Sequence, residues 1–244
     1  MTRVLCLLIS VCWGLAQADL PQDLQQTLHR LGPEVAQRVK ARFQSAELDY
    51  PPERVQLIAL KESRRLELWA YQEGDWRFVH DYAIFAASGV AGPKLREGDR
   101  QVPEGFYRIV GLNPNSNFHL SMKLNYPNAY DWVQAGREGR SAPGSNIYIH
   151  GSAWSKGCLA IGDHYIEELF YLVADIGMDR AAVLIAPFDF RLKSPHITAQ
   201  PEWIGDLYTY LSLRLKQFPV SRKVQDCAYG CLDARYSRLR DNRP

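Results

Sequence analysis

Five short segments after Pro51-Pro52 constrain the fold more than any other feature of the sequence. They are rich in β-branched and aromatic residues and are separated by Gly, Asn, Asp and Pro: VQLIALKES, RLELWAYQ, WRFVHDYAIFAAS, GFYRIVGL and FHLSMKLNY. Segments of this length and composition, bounded by turn-forming residues, are typical of β-strands. The sequence therefore predicts a β-rich domain that begins near residue 53.

Helical segments flank this domain. Residues 22–48 place apolar side chains at three- and four-residue spacing, interrupted by Gly32-Pro33, which predicts two short amphipathic helices. EWIGDLYTYLSLRLKQF, near the C-terminus, predicts a helix that packs back on the domain. We divide the chain into an N-terminal helical segment (19–52), a β-rich domain (53–190) and a C-terminal helical extension (191–244). The predicted class is mainly β with helical additions, an α+β fold.

The first 18 residues resemble a secretory signal. Arg3 precedes an apolar stretch from Val4 to Leu15, and Ala16-Gln17-Ala18 forms an A-x-A cleavage site. About a dozen apolar residues fall short of the roughly 20 that a membrane-spanning helix needs. We therefore expect a soluble exported protein that starts near Asp19 and has no membrane span in the mature chain.

Charge argues against nucleic acid as the partner. The sequence holds 29 Lys and Arg against 27 Asp and Glu, and loss of Arg3 with the leader leaves 28 against 27. A nearly neutral chain lacks the basic surplus that phosphate backbones attract. The arginine-rich tail, ARYSRLRDNR, is interpreted as a solvated helix face or a weak contact with anionic envelope polymers.

Export leaves three cysteines, Cys158, Cys227 and Cys231. Because Cys227 and Cys231 are close enough in sequence to be joined, we expect a disulfide between them in an oxidising compartment. Cys158 is then left as a free thiol. It is either a reactive nucleophile or a buried, inert cysteine, and composition does not separate the two.

The segment IYIHGSAWSKGCLAIGD, residues 147–163, brings Cys158 and His150 together in sequence. Ile147 and Ile149 alternate with Tyr148 and His150, which predicts a strand with His150 at its end. After Cys158, Asp163 is expected to cap a helix that runs to Gly177, and AAVLIAPF is expected to be the next strand.

This pattern contains the parts that cysteine catalysis requires. A thiolate needs a base and donors for the oxyanion, and an imidazole or a helix N-terminus lowers the pKa of a thiol. His150 could be the base, and the amides of Gly157 and Cys158 could be the donors. Zinc is the other chemical option, on His150, Cys158, Asp163 and His164. These four lack the paired spacing of zinc sites, so we predict no metal and no cofactor.

Three motifs resemble the L,D-transpeptidase catalytic domain (YkuD-type) family, whose members remodel bacterial peptidoglycan. The first is IHG followed by a Ser-x-Gly-Cys turn, the second is GPKLREGDRQVPEGFYRI, and the third is LNYPNAYD. They occur in the order that the family has and lie within residues 53–190. The resemblance implies a β-sandwich-like domain with a helix near the active-site turn.

The resemblance also implies a role for each matching residue. Cys158 would be the nucleophile and His150 the general base, oriented by the backbone carbonyl of Gly151. Ser155 would stabilise the turn, and the amides of Gly157 and Cys158 would bind the oxyanion. The implied substrates are peptidoglycan stem peptides that contain diaminopimelate, in the periplasm. Five further residues are candidates for substrate binding: Arg137, Arg140, Lys123, Tyr148 and Lys156.

The sequence departs from the family in two motifs. Lys156 stands where the usual turn has histidine, and Val102 replaces a threonine. The short His-to-Cys spacing is similar to one branch that includes the enzyme detaching an outer-membrane lipoprotein from peptidoglycan. Hydrolysis and transpeptidation therefore both stay open, with a peptidoglycan-linked lipoprotein as a further partner. A catalytically silent domain that binds peptidoglycan or an envelope partner is the alternative. The Gly- and Ser-rich segment 134–146 is expected to be a loop that gates the cleft.

Overall fold

The computed structural model describes residues 21–194 and 201–220. The predicted leader, Met1–Ala18, and the predicted Cys227–Cys231 disulfide lie outside these residues, as do residues 195–200 and 221–244 of the C-terminal extension. Among the described helices, none has both the length and the apolar character that crossing a membrane would demand.

Nine strands form a mixed sheet in the order β3-β2-β1-β9-β5-β6-β7-β8-β4. Their bounds are β1 Arg54–Leu60, β2 Arg65–Gln72, β3 Asp75–Ala83, β4 Ala86–Ala87, β5 Gly105–Ser116, β6 His119–Leu124, β7 Tyr148–His150, β8 Leu159–Ala160 and β9 Ala181–Ala186. The pairs β1–β9 and β7–β8 are parallel, and the other neighbours are antiparallel. The β-rich segments of the sequence are thus strands, as predicted.

Strand β5 joins the two halves of the sheet. Its first residues, Gly105 to Arg108, pair with β9, whereas the remainder pairs with β6 through two irregularities in register. Such bulges bend a strand and increase its twist. Side chains from both halves meet in one buried cluster, for example Leu57 with Ile149 and Leu159. The predicted α+β class with a sandwich-like arrangement is confirmed.

Helix α1, Gln22–Ser45, consists of two halves that meet at a kink. Gly32 has a φ of 70°, outside the helical range, and Pro33 begins the second half. Val39 and Phe43 are buried in the shared core. The two predicted amphipathic helices are therefore present, joined end to end.

Helix α3, Asp163–Ile176, fills the space between α1 and the sheet with apolar side chains that include Leu169 and Phe170. The prediction that Asp163 caps this helix is wrong. Gly162, with a φ of 80°, is the capping residue, and Asp163 is the first residue of the helix. The Asp163 carboxylate instead accepts a hydrogen bond of 2.6 Å from the backbone amide of Ser152, near the candidate site.

Helix α2, Ala129–Arg137, was not predicted. Its start is a capping box: the Asn128 side chain accepts from the amide of Asp131, while Asp131 accepts from the amide of Asn128. The helix takes up the beginning of segment 134–146, so that segment is not a loop throughout. The Asn-x-x-Asp spacing was the signal in the sequence that could have identified it.

Helix α4, Trp203–Leu215, packs on the outer face of β1, β2 and β9. Leu207, Leu211 and Leu215 are buried there, against Ile58 and Leu184 of the sheet. The described part of the C-terminal extension therefore packs back on the domain, as expected. A short 3₁₀ turn, Met178–Arg180, connects α3 to β9.

Candidate active site

Two short parallel strands place His150 and Cys158 near each other, two residues apart along the strand direction. Ile149 of β7 pairs with Leu159 of β8, and His150 pairs with Ala160. His150 is the last residue of β7, and Cys158 directly precedes β8. Every residue of the two strands except the partly exposed Tyr148 is buried, which fixes the backbone on either side of the turn that connects them.

The imidazole of His150 is held in one orientation. It is 2% exposed, and its Nδ1 lies 2.6 Å from the carbonyl oxygen of Gly151. Because a carbonyl oxygen only accepts, Nδ1 carries the proton and Nε2 keeps its lone pair. The ring of Phe118 lies over the imidazole, with the centroids 4.6 Å apart. Burial lowers the pKa of His150, and the hydrogen bond to Gly151 opposes this effect.

Gly151 is a glycine because its surroundings are close. A Cβ at this position would lie 2.6 Å from the carbonyl oxygen of Phe118 and 2.6 Å from the Asp163 carboxylate. The backbone at Phe118 therefore packs closely against Gly151, the residue that follows β7. The close contacts of Gly151 thus hold in place the carbonyl group that orients His150.

The Ser155 hydroxyl closes the turn before Cys158. Its Oγ accepts from the Cys158 amide at 2.9 Å and donates to the Cys158 carbonyl oxygen at 2.6 Å. Gly157, between them, has a φ of 108°, a left-handed conformation that favours glycine. The turn therefore depends on both residue types.

The amide of Cys158 is engaged in this turn, so the expectation that it binds an oxyanion is not met by the geometry. Its N–H already points at the Ser155 hydroxyl. The amide of Gly157 donates to no acceptor within the described part of the chain. Of the two expected donors, the structure leaves Gly157 available.

The direction of the Cys158 pKa is opposite to the one that a neighbouring imidazolium or a helix N-terminus would produce. Burial raises the pKa of Cys158, because a thiolate loses its hydration there. The backbone amide of Tyr148 and the charge of Lys94 act in the opposite direction but do not overcome it. The thiol donates to the carbonyl oxygen of Asn146 across 3.7 Å.

A polar cavity of about 390 Å³ lies beside the turn. Charged side chains from two segments line it: Lys94, Glu97 and Arg100 from the second motif, and Lys156 from the turn. Asn146, whose carbonyl contacts the thiol, also lines it. Lys94 is paired with Asp99 at 2.5 Å. The third motif supports this wall, because the Tyr126 hydroxyl donates to the carbonyls of Lys94 and Pro143.

The other predicted substrate-binding residues lie outside the lining of this cavity. Arg140 pairs with Glu138 and donates to the Leu95 carbonyl oxygen at 2.7 Å. Arg137 is exposed at the end of α2. Lys123 of β6 pairs in register with Tyr148 of β7. Only Lys156 of the five lines the cavity, and the roles of all five stay predictions.

Sequence reasoning missed several contributors to the site, among them Phe118, Arg100 and Asn146. Phe118 gave no signal, because an aromatic residue at a turn is ordinary in a β-rich chain. Arg100 lies within the second motif, but no local sequence pattern indicates that it would share a cavity with Lys156 of the turn. Asn146 reaches the thiol through its backbone carbonyl, which carries no residue-specific signal.

The zinc alternative finds no support in the geometry. In residues 21–194 and 201–220, no three His, Cys, Asp or Glu side chains are grouped so that they could hold one metal ion. Asp163 is instead engaged with the Ser152 amide, and His164 lies 3.5 Å from Glu168.

Comparison with known proteins gives a family and a relative. A family model described as the L,D-transpeptidase catalytic domain matches residues 54–185. YafK of Escherichia coli (strain K12), which carries the name L,D-transpeptidase on a provisional basis, is 34% identical over 139 residues. The match covers 55% of this chain and 54% of YafK, so the chain spans about half the length of this relative.

Solved structures with partial similarity include two bacterial proteins. The helical cell shape determining protein Pgp2 of Campylobacter jejuni is 20% identical in its K307A form, with a TM-score of 0.47, over 81% of this chain and 64% of that protein. Bd1075 of Bdellovibrio bacteriovorus is 20% identical with a TM-score of 0.41, over 68% of this chain and 55% of that protein.

Proposed function

Since the chain belongs to the L,D-transpeptidase catalytic domain family, whose model matches more than half of its residues, we propose that it is a cysteine-dependent enzyme that remodels peptidoglycan. Its substrates are stem peptides that contain diaminopimelate. It works in the periplasm, after export by the N-terminal leader. Cys158 is the nucleophile and His150 the general base.

The observation that carries this proposal is the hydrogen bond from His150 Nδ1 to the Gly151 carbonyl. It leaves Nε2 as the only basic nitrogen of the ring. A neutral imidazole with a fixed tautomer, on the strand beside the one that follows Cys158, is suited to take a thiol proton. No acidic side chain is needed for this orientation.

The reaction proceeds through a thioester. The Cys158 sulfur attacks the carbonyl at the L-centre of diaminopimelate while His150 Nε2 takes the thiol proton. The Gly157 amide donates to the oxyanion that forms. As the tetrahedral intermediate collapses, the carbon–nitrogen bond breaks and His150 gives the proton to the leaving amine. Water then releases the acid, or an amine of a second stem peptide forms a new amide.

The pKa directions suit a thiol and imidazole that are both neutral at rest. Burial raises the pKa of Cys158 and lowers that of His150, so proton transfer accompanies the attack on the substrate. The thiol donates to the Asn146 carbonyl oxygen, so it must rotate away from Asn146 before it transfers its proton. Catalytic hydrogen bonds often align only when substrate is bound. The raised thiol pKa is also the observation that favours the alternative, a silent binding domain.

The cavity beside the turn suits the zwitterionic end of diaminopimelate. Arg100 and Lys156 supply positive charge for its carboxylate, and Glu97 supplies negative charge for its ammonium group. Glu97 also accepts from the Ser145 hydroxyl at 2.8 Å, which fixes its position. The scissile bond could join diaminopimelate to another stem peptide or to the lysine of a bound lipoprotein.

The test is mass spectrometry of muropeptides from sacculi treated with the wild-type protein, Cys158→Ala or His150→Gln. We expect the wild type to change the muropeptides and both variants to lose about a hundredfold or more in rate. Loss of protein-linked or crosslinked species identifies a hydrolase, and gain of crosslinked or exchanged species identifies a transpeptidase.

His119→Gln is the matched control. His119 lies on β6, where its imidazole is 2.9 Å from Glu167, so its loss leaves the reaction unchanged. If the wild type alters no muropeptide, or Cys158→Ala is as active as the wild type, the enzyme proposal is wrong and the binding domain replaces it.

A further inference from the structure

Three arginines from three elements surround a second cavity, of about 290 Å³. Arg54 is the first residue of β1, Arg180 ends the 3₁₀ turn before β9, and Arg214 lies in the last turn of α4. Since Val55 pairs with Ala181 in the parallel β1–β9 ladder, Arg54 and Arg180 precede the same rung of the sheet. The cavity is therefore built by tertiary structure, from residues far apart in sequence.

This cavity lies at the opposite end of the sheet from the candidate active site. β1 runs for seven residues from Arg54 and leads into Lys61, whose Nζ donates to the Val102 carbonyl oxygen. The neighbouring Gln101 approaches Gly157 of the catalytic turn. Seven residues of strand span roughly 20 Å. The arginine cavity is thus separate from the proposed catalytic cleft.

The positive charge in this cavity is not balanced by carboxylates. Within the described residues, none of the three guanidinium groups forms an ion pair with a carboxylate. Asp179 lines the cavity as well, so three positive charges and one negative charge leave a net charge of two. Burial, and then the charge of Arg54, lower the pKa of Arg214. Like charges are held together here at a cost in free energy.

Aromatic rings position two of the guanidinium groups. Arg54 lies 3.9 Å from the centroid of the Tyr71 ring, and the Trp76 centroid lies 5.6 Å from the Arg54 guanidinium and 5.8 Å from that of Arg214. Such contacts hold a guanidinium in place without neutralising it. Trp76 also lines the cavity and offers a flat apolar wall beside the charges.

We propose that this cavity binds a phosphate group, either free or as the monoester headgroup of a larger molecule. A phosphate carries up to two negative charges, which equals the excess positive charge of the cavity. Its oxygens accept the paired N–H groups of guanidinium in a bidentate manner, and three arginines offer such pairs from three directions. Binding relieves the repulsion between Arg54 and Arg214.

The first experiment measures binding of inorganic phosphate by calorimetry, at constant ionic strength, to the wild-type protein, Arg180→Gln and Arg214→Gln. We expect saturable binding by the wild type and about tenfold weaker binding by each variant. Arg77→Gln is the control: it removes the same charge from an exposed position on β3, outside the cavity, and keeps wild-type affinity.

Stability without phosphate separates a binding role from a structural one. Arg180 is exposed, so Arg180→Gln folds as the wild type does. If Arg214 serves phosphate, Arg214→Gln keeps or raises the thermal midpoint, because a repulsive charge is lost. A lower midpoint together with unchanged phosphate affinity would make Arg214 purely structural and overturn the proposal.

The second experiment identifies the source of the phosphate. Vesicles of phosphatidylethanolamine with and without phosphatidic acid are tested for cosedimentation, with inorganic phosphate as the competitor. Binding only to phosphatidic acid vesicles, lost in Arg180→Gln, assigns the headgroup. Binding of inorganic phosphate without vesicle binding assigns the free ion. The absence of binding both to inorganic phosphate and to phosphatidic acid vesicles, or equal binding by all four proteins, overturns the site.

Discussion

Burial of His150 and Cys158 determines the chemistry that each can perform. A buried imidazole resists protonation and a buried thiol resists ionisation, so the two pKa values move in opposite directions, away from an ion pair. The fixed tautomer of His150 nevertheless leaves Nε2 unprotonated, so Nε2 can act as a base at neutral pH. We infer that proton transfer from Cys158 to His150 begins only when substrate is bound.

The expected pH dependence follows from the pKa of His150. Protonation of Nε2 abolishes base catalysis, so kcat/KM should fall on the acid side with a midpoint below the ordinary value of 6.5. Phe118→Ala exposes the imidazole and should move this midpoint towards 6.5, whereas Phe118→Leu keeps most of the apolar cover. Kinetics against pH and an NMR titration of His150 measure the two midpoints.

Phe106→Ala is the control for this measurement, since Phe106 is another partly exposed phenylalanine, on β5. It should leave the midpoint unchanged. A wild-type midpoint at or above 6.5, or no response to Phe118→Ala, would show that burial by Phe118 does not set the basicity of His150.

At the scale of elements, the start of helix α2 depends on the carboxylate of Asp131, which is partly buried. Asp131 accepts from the Asn128 amide in the capping box and also accepts a hydrogen bond from the buried Tyr107 hydroxyl. Burial raises its pKa from an ordinary value of 3.8 to about 6, although the hydrogen bonds from Asn128 and Tyr107 oppose the shift. Between about pH 4 and pH 6, Asp131 is therefore protonated in the folded protein and ionised in the unfolded chain.

Stability should respond to this proton. The folded state binds it more tightly than the unfolded state, so the contribution of Asp131 is present below pH 4 and is lost as pH rises through 6. The free energy of unfolding of the wild type, relative to Asp131→Asn, should fall by about 2 to 3 kcal/mol over this range. Urea titrations at several pH values measure it.

Tyr107→Phe provides the internal check. Removing the hydroxyl takes away a hydrogen bond that favours the carboxylate, so the fall in stability should extend to higher pH. A difference between the wild type and Asp131→Asn that does not vary with pH would contradict the raised pKa of Asp131.

At the scale of the whole molecule, one sheet serves two buried clusters. Along β1, Leu57 faces the cluster shared with α1 and α3, and the next residue, Ile58, faces the cluster under α4. Val183 and Leu184 of β9 divide in the same way. Because the same strands belong to both clusters, loss of one layer should weaken the other.

Leu211→Ala tests this coupling. Leu211 is fully buried under α4, so its truncation should cost about 2 to 5 kcal/mol in the free energy of unfolding. Circular dichroism and tryptophan fluorescence in urea should shift together in one transition. Leu213→Ala, on the same helix with Leu213 55% exposed, should change stability by no more than about 0.5 kcal/mol. Two separate transitions for Leu211→Ala would mean that α4 unfolds on its own.

Local patterns in the sequence were sufficient to predict most elements and the parts of the candidate site. Alternation and turn residues predicted the strands, and the helical period predicted α1, α3 and α4, because each depends on near neighbours in the chain. The His-Gly pair and the Ser-x-Gly-Cys turn are local for the same reason. Helix α2 is not among the predicted elements, because Asn128 and Asp131 lie in the third motif, which carries the family resemblance, and residues 134–146 are expected to form a loop.

The sequence by itself thus determined the candidate residues for the chemistry and most of the segments that are strands or helices. Only the tertiary structure decided the strand order, the occupied amide of Cys158, the partners of Arg140 and the raised pKa of the thiol. It also decided which charges share a cavity: Lys156 with Arg100 at one end of the sheet, and Arg54 with Arg180 and Arg214 at the other. The physical reason is that desolvation and charge interactions depend on distance in space, which local sequence patterns do not encode.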